Sequence, residues 1–144
     1  MDGEEITIKG QMSSGDIVRL DLFDGLFTTG YRLTSFTIAP QEPVSGFEFV
    51  AKLLTQEPAG STSVWNWDNN LEVGWAGFNI PTNTRFGEYS RVDMDMSIIE
   101  DLYIDMAGSG GAKANYMITM RKVTFPIGIG AMNMVRNMSQ GPVP

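Results

Sequence analysis

Three tryptophans and a run of polar residues lie close together near the middle of the chain. Residues 65–70 read Trp-Asn-Trp-Asp-Asn-Asn, and a third tryptophan follows at position 75. An exposed tryptophan ring can stack on a sugar ring, while nearby amides and carboxylates hydrogen-bond the sugar hydroxyls. The residues of this candidate glycan-binding site are Trp65, Trp67, Asp68, Asn69 and Trp75. The alternative is that one or two rings fill the core and the others form a subunit contact, where tryptophan is enriched.

Acidic residues form a second group between positions 93 and 105. Its members are Asp93, Asp95, Glu100, Asp101 and Asp105. Clustered carboxylates supply the oxygen ligands of Ca²⁺, and a carboxylate pair can cleave a glycosidic bond. The spacing lacks the EF-hand pattern, and a solvated strand face followed by a turn explains the same residues. A Ca²⁺ site near Asp93, Asp95 and Asp101 is therefore left open.

Two residue types that dominate enzyme and metal chemistry are missing. The 144-residue chain contains no cysteine and no histidine. Disulfides, thiolate or imidazole metal ligands, and nucleophiles that depend on histidine are therefore excluded. The formal net charge of −7 argues against nucleic acid as a partner, because that affinity rests on clustered Lys and Arg. We expect a protein that is not an enzyme, takes no cofactor and acts on no small-molecule substrate.

The C-terminal segment, residues 125–144, is apolar and rich in methionine. Its candidate interface residues are Phe125, Ile127, Ile129, Met132, Met134, Val135 and Met138. Exposed apolar segments usually mark contacts, and methionine adapts well to irregular surfaces. We therefore predict a tail that packs against another subunit; the alternative is that the methionines are core residues or are placed incidentally.

The elements that must position these groups have a period of two. In residues 91–98, apolar side chains alternate with charged or hydroxyl side chains, which predicts one strand with a dry face and a wet face. Residues 114–123 alternate in the same way, with Tyr116, Ile118 and Met120 on one face. The glycine-rich stretch before them predicts a hairpin with the strand that carries Leu102 and Ile104.

About eight such short strands, separated by Gly, Pro and Asn turns, indicate a single antiparallel β-sandwich of jelly-roll type. We predict that this all-β domain spans residues 1–124 and that residues 125–144 form an extended tail. The acidic N-terminus is unlike a signal peptide, and no apolar run is long enough to span a membrane.

Four segments resemble small jelly-roll structural proteins of viral particles, especially those of bacteriophages. They are 19–25 (Arg-Leu-Asp-Leu-Phe-Asp-Gly), 30–38 (Gly-Tyr-Arg-Leu-Thr-Ser-Phe-Thr-Ile), 100–104 (Glu-Asp-Leu-Tyr-Ile) and 115–118 (Asn-Tyr-Met-Ile). The resemblance covers less than half of the chain and carries no chemical motif. It implies a minor capsid, cement or decoration protein.

The expected function is therefore that of a non-enzymatic structural subunit of a viral particle, working through protein–protein assembly. We expect it to associate with copies of itself and with other particle proteins. It would reach the virion from the host cytoplasm without a signal peptide. The alternative is a glycan-binding β-sandwich module that uses its surface tryptophans.

Overall fold

The computed structural model of the protein describes residues 4–22, 29–42, 47–80, 87–108 and 112–124. Within these ranges the chain forms nine strands and no helix. In chain order they are β1 (Glu5–Ser13), β2 (Ile17–Asp21), β3 (Thr29–Pro40), β4 (Glu48–Leu54), β5 (Glu72–Asn79), β6 (Gly87–Val92), β7 (Ser97–Ile98), β8 (Asp101–Gly108) and β9 (Lys113–Thr124). No helix in the described part of the chain is long and apolar enough to cross a membrane.

The strands form two antiparallel sheets. The four-stranded sheet has the order β1-β9-β3-β7, and the five-stranded sheet has the order β2-β8-β4-β5-β6. Side chains from both sheets meet in one hydrophobic core, where Phe36 and Ile118 of the first sheet and Phe49 and Leu102 of the second are fully buried. The predicted all-β sandwich is therefore confirmed.

Alternation along the strands places the core side chains. Tyr116, Ile118 and Met120 of β9 are buried, as the period of two predicts. Strand β3 keeps both Leu33 and Phe36 inside although three positions separate them. The register shifts between Leu33 and Ser35, and such a bulge restores the inward phase of the strand.

The predicted hairpin between the strands at 101–108 and 113–124 is wrong. Strand β8 pairs with β2 and β4 in the five-stranded sheet, whereas β9 pairs with β1 and β3 in the other sheet. The connection between β8 and β9 therefore crosses the sandwich. The opposing sheet covers the dry face of a strand in either arrangement, so alternation does not determine which strand is the hydrogen-bonded neighbour.

The single strand predicted over residues 91–98 is also wrong. Strand β6 ends at Val92 and β7 begins at Ser97, so the chain passes from one sheet to the other between them. The backbone N–H of Asp95 donates to Asp93 Oδ1 at 3.0 Å, a local bond that competes with strand pairing. Met94, one of the apolar side chains that the alternation over residues 91–98 places on the dry face, is 59% exposed at this turn.

The alternation of apolar and polar side chains did not predict strand β1. Ile6 and Ile8 pack against the core, and Met12 is buried. At the other end, the last described strand ends at Thr124. The predicted tail and its seven candidate interface residues lie outside the described residues, so the domain boundary stays a prediction.

Candidate functional site

The segment between β4 and β5, residues 55–71, lies over the outer face of the five-stranded sheet. Phe49, Ala51 and Leu53 of β4 face the core, so the intervening Lys52 points outward. Its ammonium group Nζ donates to Thr62 Oγ1 at 2.8 Å and to the carbonyl oxygen of Val64 at 2.9 Å. Lys52 therefore fastens the segment, which we call the β4–β5 loop, to the sheet.

Two buried carboxylates complete this attachment. Glu72 Oε2 lies 3.4 Å from Lys52 Nζ, and Asp105 Oδ2 lies 4.0 Å from the same atom. Asp105 is fully buried and accepts hydrogen bonds from Ser61 Oγ at 2.6 Å and from the backbone N–H of Thr62 at 3.1 Å. Buried charges are tolerated when they are paired and hydrogen-bonded, and here the loop supplies most of the partners.

Glu72 also joins the β4–β5 loop to its tryptophans. Its second oxygen, Oε1, accepts hydrogen bonds from the backbone N–H of Asn66 at 2.8 Å and from Trp75 Nε1 at 2.9 Å. The side chain of Asn69 accepts the backbone N–H of Leu71 at 3.0 Å, which closes the end of the loop. The backbone around Trp65 and Trp67 is thus held on both sides.

The loop brings four rings together in what we call the aromatic patch: Trp65, Trp67, Trp75 and Tyr89. The ring centroids of Trp67 and Trp75 are 5.0 Å apart, and those of Trp65 and Tyr89 are 5.4 Å apart. Trp67 is 57% exposed and Tyr89 is 38% exposed, whereas Trp75 is buried beneath the loop. The patch therefore has two solvent-accessible rings, Trp67 and Tyr89, and each packs against a less exposed ring.

Trp65 is held in the patch by packing. A Cβ atom added at Gly77 would lie 3.6 Å from both Cζ2 and Cη2 of Trp65, so the indole lies against the glycine. Its Nε1 atom is buried and has no hydrogen-bond acceptor among the described residues. A ring without a polar anchor depends on the shape of the surface beneath it.

The structure brings together the three tryptophans that the sequence suggested, and it adds Tyr89. Asp68 is exposed beside Trp67, while the carboxamide of Asn69 is engaged in the turn. Tyr89 lies opposite Gly77 in the register of β5 and β6, a pairing between segments that sequence alternation alone does not predict. Proximity of the rings does not test ligand binding, so the role of these residues in glycan binding stays a prediction.

The acidic residues do not form one cluster. Asp101 pairs with Arg19 at 2.9 Å, Asp105 lies under the loop, and Asp93 lies at the turn after β6. Strands β8 and β6 are separated by β4 and β5 in the sheet. Among the described residues, no three or more acidic side chains are placed to hold a metal ion.

The Arg19–Asp101 pair shapes the electrostatics of the β2–β8 edge. The hydrogen bond and charge of Asp101 raise the pKa of Arg19, which stays protonated. Burial, followed by the charge of Asp101, raises the pKa of the neighbouring Tyr103 phenol. Both shifts move the pKa further from neutral pH, so Arg19 stays charged and the Tyr103 phenol stays protonated there.

Comparison with known proteins found no matching protein family and no curated protein of significantly similar sequence.

Proposed function

We propose that this protein is a non-enzymatic jelly-roll subunit of a viral particle, acting as a minor capsid, cement or decoration protein. The supporting observation is the strand order, β1-β9-β3-β7 facing β2-β8-β4-β5, with β6 added beyond β5. This is the order expected when eight antiparallel strands are wound as a double-sheet jelly roll. Viral capsid domains commonly use that architecture.

The segments that resemble phage structural proteins support the same proposal. Three of them fall in strands β3, β8 and β9, which are interior strands of the two sheets. The likeness therefore belongs to the framework of the sandwich. As a particle subunit, the protein would reside in the virion and contact both its own copies and other particle proteins.

The test is self-association of the full-length chain, measured by size-exclusion chromatography with light scattering. We expect concentration-dependent oligomers that weaken when Ile127→Asp, Ile129→Asp and Val135→Asp are combined, because charges disfavour an apolar contact. The matched control combines Asn133→Asp, Ser139→Asp and Gln140→Asp in the same segment and should assemble normally. A wild-type protein that stays monomeric at high concentration would contradict the self-assembly proposal.

A second candidate function, glycan binding, is favoured by one observation. Trp67 is 57% exposed and its ring packs against Trp75. The Trp67 ring is therefore a supported stacking surface that solvent can reach. Lectin domains share the jelly-roll architecture, so the fold suits this function too. The test is binding to immobilised glycans. Loss of this binding in Trp67→Ala would support the candidate, and unchanged binding in that variant would show that the glycan does not bind at the aromatic patch.

A further inference from the structure

Two cavities lie beside the aromatic patch and share part of their walls. The larger, of about 620 Å³, is lined by Ser14, Ser61, Ser63 and Ala107 among others, and the smaller, of about 290 Å³, by Gly77, Asn79, Glu88 and Tyr89 among others. Glu48 and Val50 of strand β4 line both cavities. The two cavities therefore adjoin along β4, and we call them together the β4 groove; their lining includes residues of strands β8, β4, β5 and β6.

The β4 groove has the size of a ligand site. Pockets that bind small ligands usually measure about 300–1,000 Å³, and the larger cavity falls inside this range. Its rim is built partly from the β4–β5 loop, since Ser61 and Ser63 belong to that loop. The buried contacts of Lys52 and Asp105 hold the loop against the sheet, so this wall is formed before any ligand arrives.

One end of the groove is aromatic. Tyr89 lines the smaller cavity, is 38% exposed, and packs against Trp65 at a centroid distance of 5.4 Å. The Trp67 ring lies 6.4 Å from the same tyrosine, which connects the groove to the aromatic patch. Tyr89 can therefore present a supported ring face to a ligand that lies in the groove.

The polar lining is suited to hydroxyl groups. The hydroxyls of Ser14 and Ser61 already donate to the Gly108 carbonyl oxygen and to Asp105 Oδ1, so towards a ligand they can only accept. The hydroxyl of Ser63 and the carboxamide of Asn79 can donate and accept hydrogen bonds, and carboxylates accept them. Glu48 and Glu88 are the charged residues that line the two cavities, and no Lys or Arg lines either one among the described residues. The exposed carboxylate of Glu88 can therefore accept hydrogen bonds from an uncharged polyol and repel an anion.

We propose that the β4 groove binds a neutral oligosaccharide, with one sugar ring stacked on Tyr89 and the adjoining sugars along Val50 and the Ser63 hydroxyl. Glu88 accepts hydrogen bonds from the sugar and disfavours sulfated, sialylated and uronic-acid glycans. This inference rests on the second candidate function, and it names the ligand class and the surface that selects it.

The test is isothermal titration of the full-length protein with neutral tetrasaccharides, namely chitotetraose, cellotetraose and mannotetraose. Heparin tetrasaccharide and tetragalacturonic acid serve as anionic probes. We expect binding of at least one neutral probe and of neither anionic one. Tyr89→Ala should weaken binding by about tenfold, whereas Tyr89→Phe, which keeps the ring face, should bind as the wild type does.

The effect of the Glu88 charge on ligand selection is tested in the same titration. Glu88→Gln should admit an anionic probe that the wild type rejects, and added salt should reduce this difference between the two proteins, because salt screens the repulsion. Glu5→Gln, on the opposite sheet, is the matched control and should still reject both anionic probes. Unfolding temperatures of all variants show that each is folded.

Three results would overturn the inference. They are no binding of any neutral probe, wild-type preference for an anionic probe, and neutral binding that is as tight in Tyr89→Ala as in the wild type. If that last binding is lost in Trp67→Ala, the glycan function stands at the aromatic patch and only the groove is wrong. Absence of all binding would remove both.

Discussion

The ammonium group of Lys52 lies 3.4 Å from the carboxylate of Glu72, and both side chains are almost completely buried outside the hydrophobic core. The pair lies between the five-stranded sheet and the β4–β5 loop. Asp105 adds a second carboxylate 4.0 Å from the same ammonium group. One lysine thus pairs with two buried acids, and all three side chains hydrogen-bond the loop that carries Trp65 and Trp67.

The first prediction concerns the loss of this lysine. Lys52→Met leaves Glu72 and Asp105 buried without their cation and removes two hydrogen bonds to the loop. Removing one partner of a buried ion pair costs roughly 3–5 kcal/mol, so we expect the free energy of unfolding in urea to fall by about that amount.

Arg19→Met is the matched control for that prediction. Arg19 also pairs with an aspartate, but its side chain is 58% exposed, and exposed ion pairs contribute little to stability. We expect its urea midpoint to equal that of the wild type. Equal midpoints for Lys52→Met and Arg19→Met would contradict the view that the buried cluster stabilises the loop.

The second prediction concerns the end of strand β8. A Cβ atom at Gly108 would overlap the carbonyl oxygen of Glu48 and lie 2.8 Å from the Cα of Phe49. Backbone atoms cannot rotate away as a side chain can, so Gly108→Ala should destabilise the fold by about 1–3 kcal/mol. The loss of stability is measured as a drop in the thermal unfolding temperature.

Gly60→Ala is the control for this prediction, since a Cβ atom at Gly60 meets nothing within 4 Å. Equal unfolding temperatures for the two variants would show that β4 and β8 approach each other less closely.

The faces of the strands were predictable from sequence because side-chain direction is a local property. The inward positions of Val18 and Leu20 in β2, and of Ile118 and Met120 in β9, follow from alternation alone. The partner of each strand was not predictable in this way. Strands β8 and β9 are neighbours in the chain and lie in opposite sheets, a choice made by long-range packing.

The site was predictable only in part, for the same physical reason. The tryptophans are close in sequence, so their proximity in space was foreseeable. Lys52 lies between the core residues Ala51 and Leu53, and lysine is rarely buried, so nothing local indicates that a loop will cover it. Tyr89 reaches the patch through the pairing of β5 with β6, which depends on the folded sheet.

The third prediction concerns the support of Trp65. A Cβ at Gly77 would make ordinary contacts, 3.4 Å from the carbonyl oxygen of Phe49 and 3.6 Å from the Trp65 ring, so Gly77→Ala should resemble the wild type. The added methyl groups of Gly77→Val enter the space of the indole and should displace it, at a cost of about 1–3 kcal/mol. The near-ultraviolet circular dichroism should change for valine only. An unchanged valine spectrum would mean that the ring does not depend on Gly77.

The fourth prediction concerns which tryptophan meets solvent. Trp67 is 57% exposed and Trp75 is 8% exposed, so acrylamide should quench chiefly the Trp67 fluorescence. Trp67→Phe should remove the quenchable component and shift the remaining emission to the blue, whereas Trp75→Phe should keep it. Quenching that is unchanged in Trp67→Phe would contradict the exposed placement of this ring.

The same measurement distinguishes the two uses of the aromatic patch. If the patch is a subunit contact, quenching of Trp67 should decrease as the protein concentration rises and oligomers form, because assembly would cover the ring. If the patch receives glycans, quenching should stay constant with concentration and decrease on addition of a bound neutral tetrasaccharide. Since Trp67 is the most exposed aromatic ring in the described part of the chain, its fluorescence reports directly on whatever covers this surface.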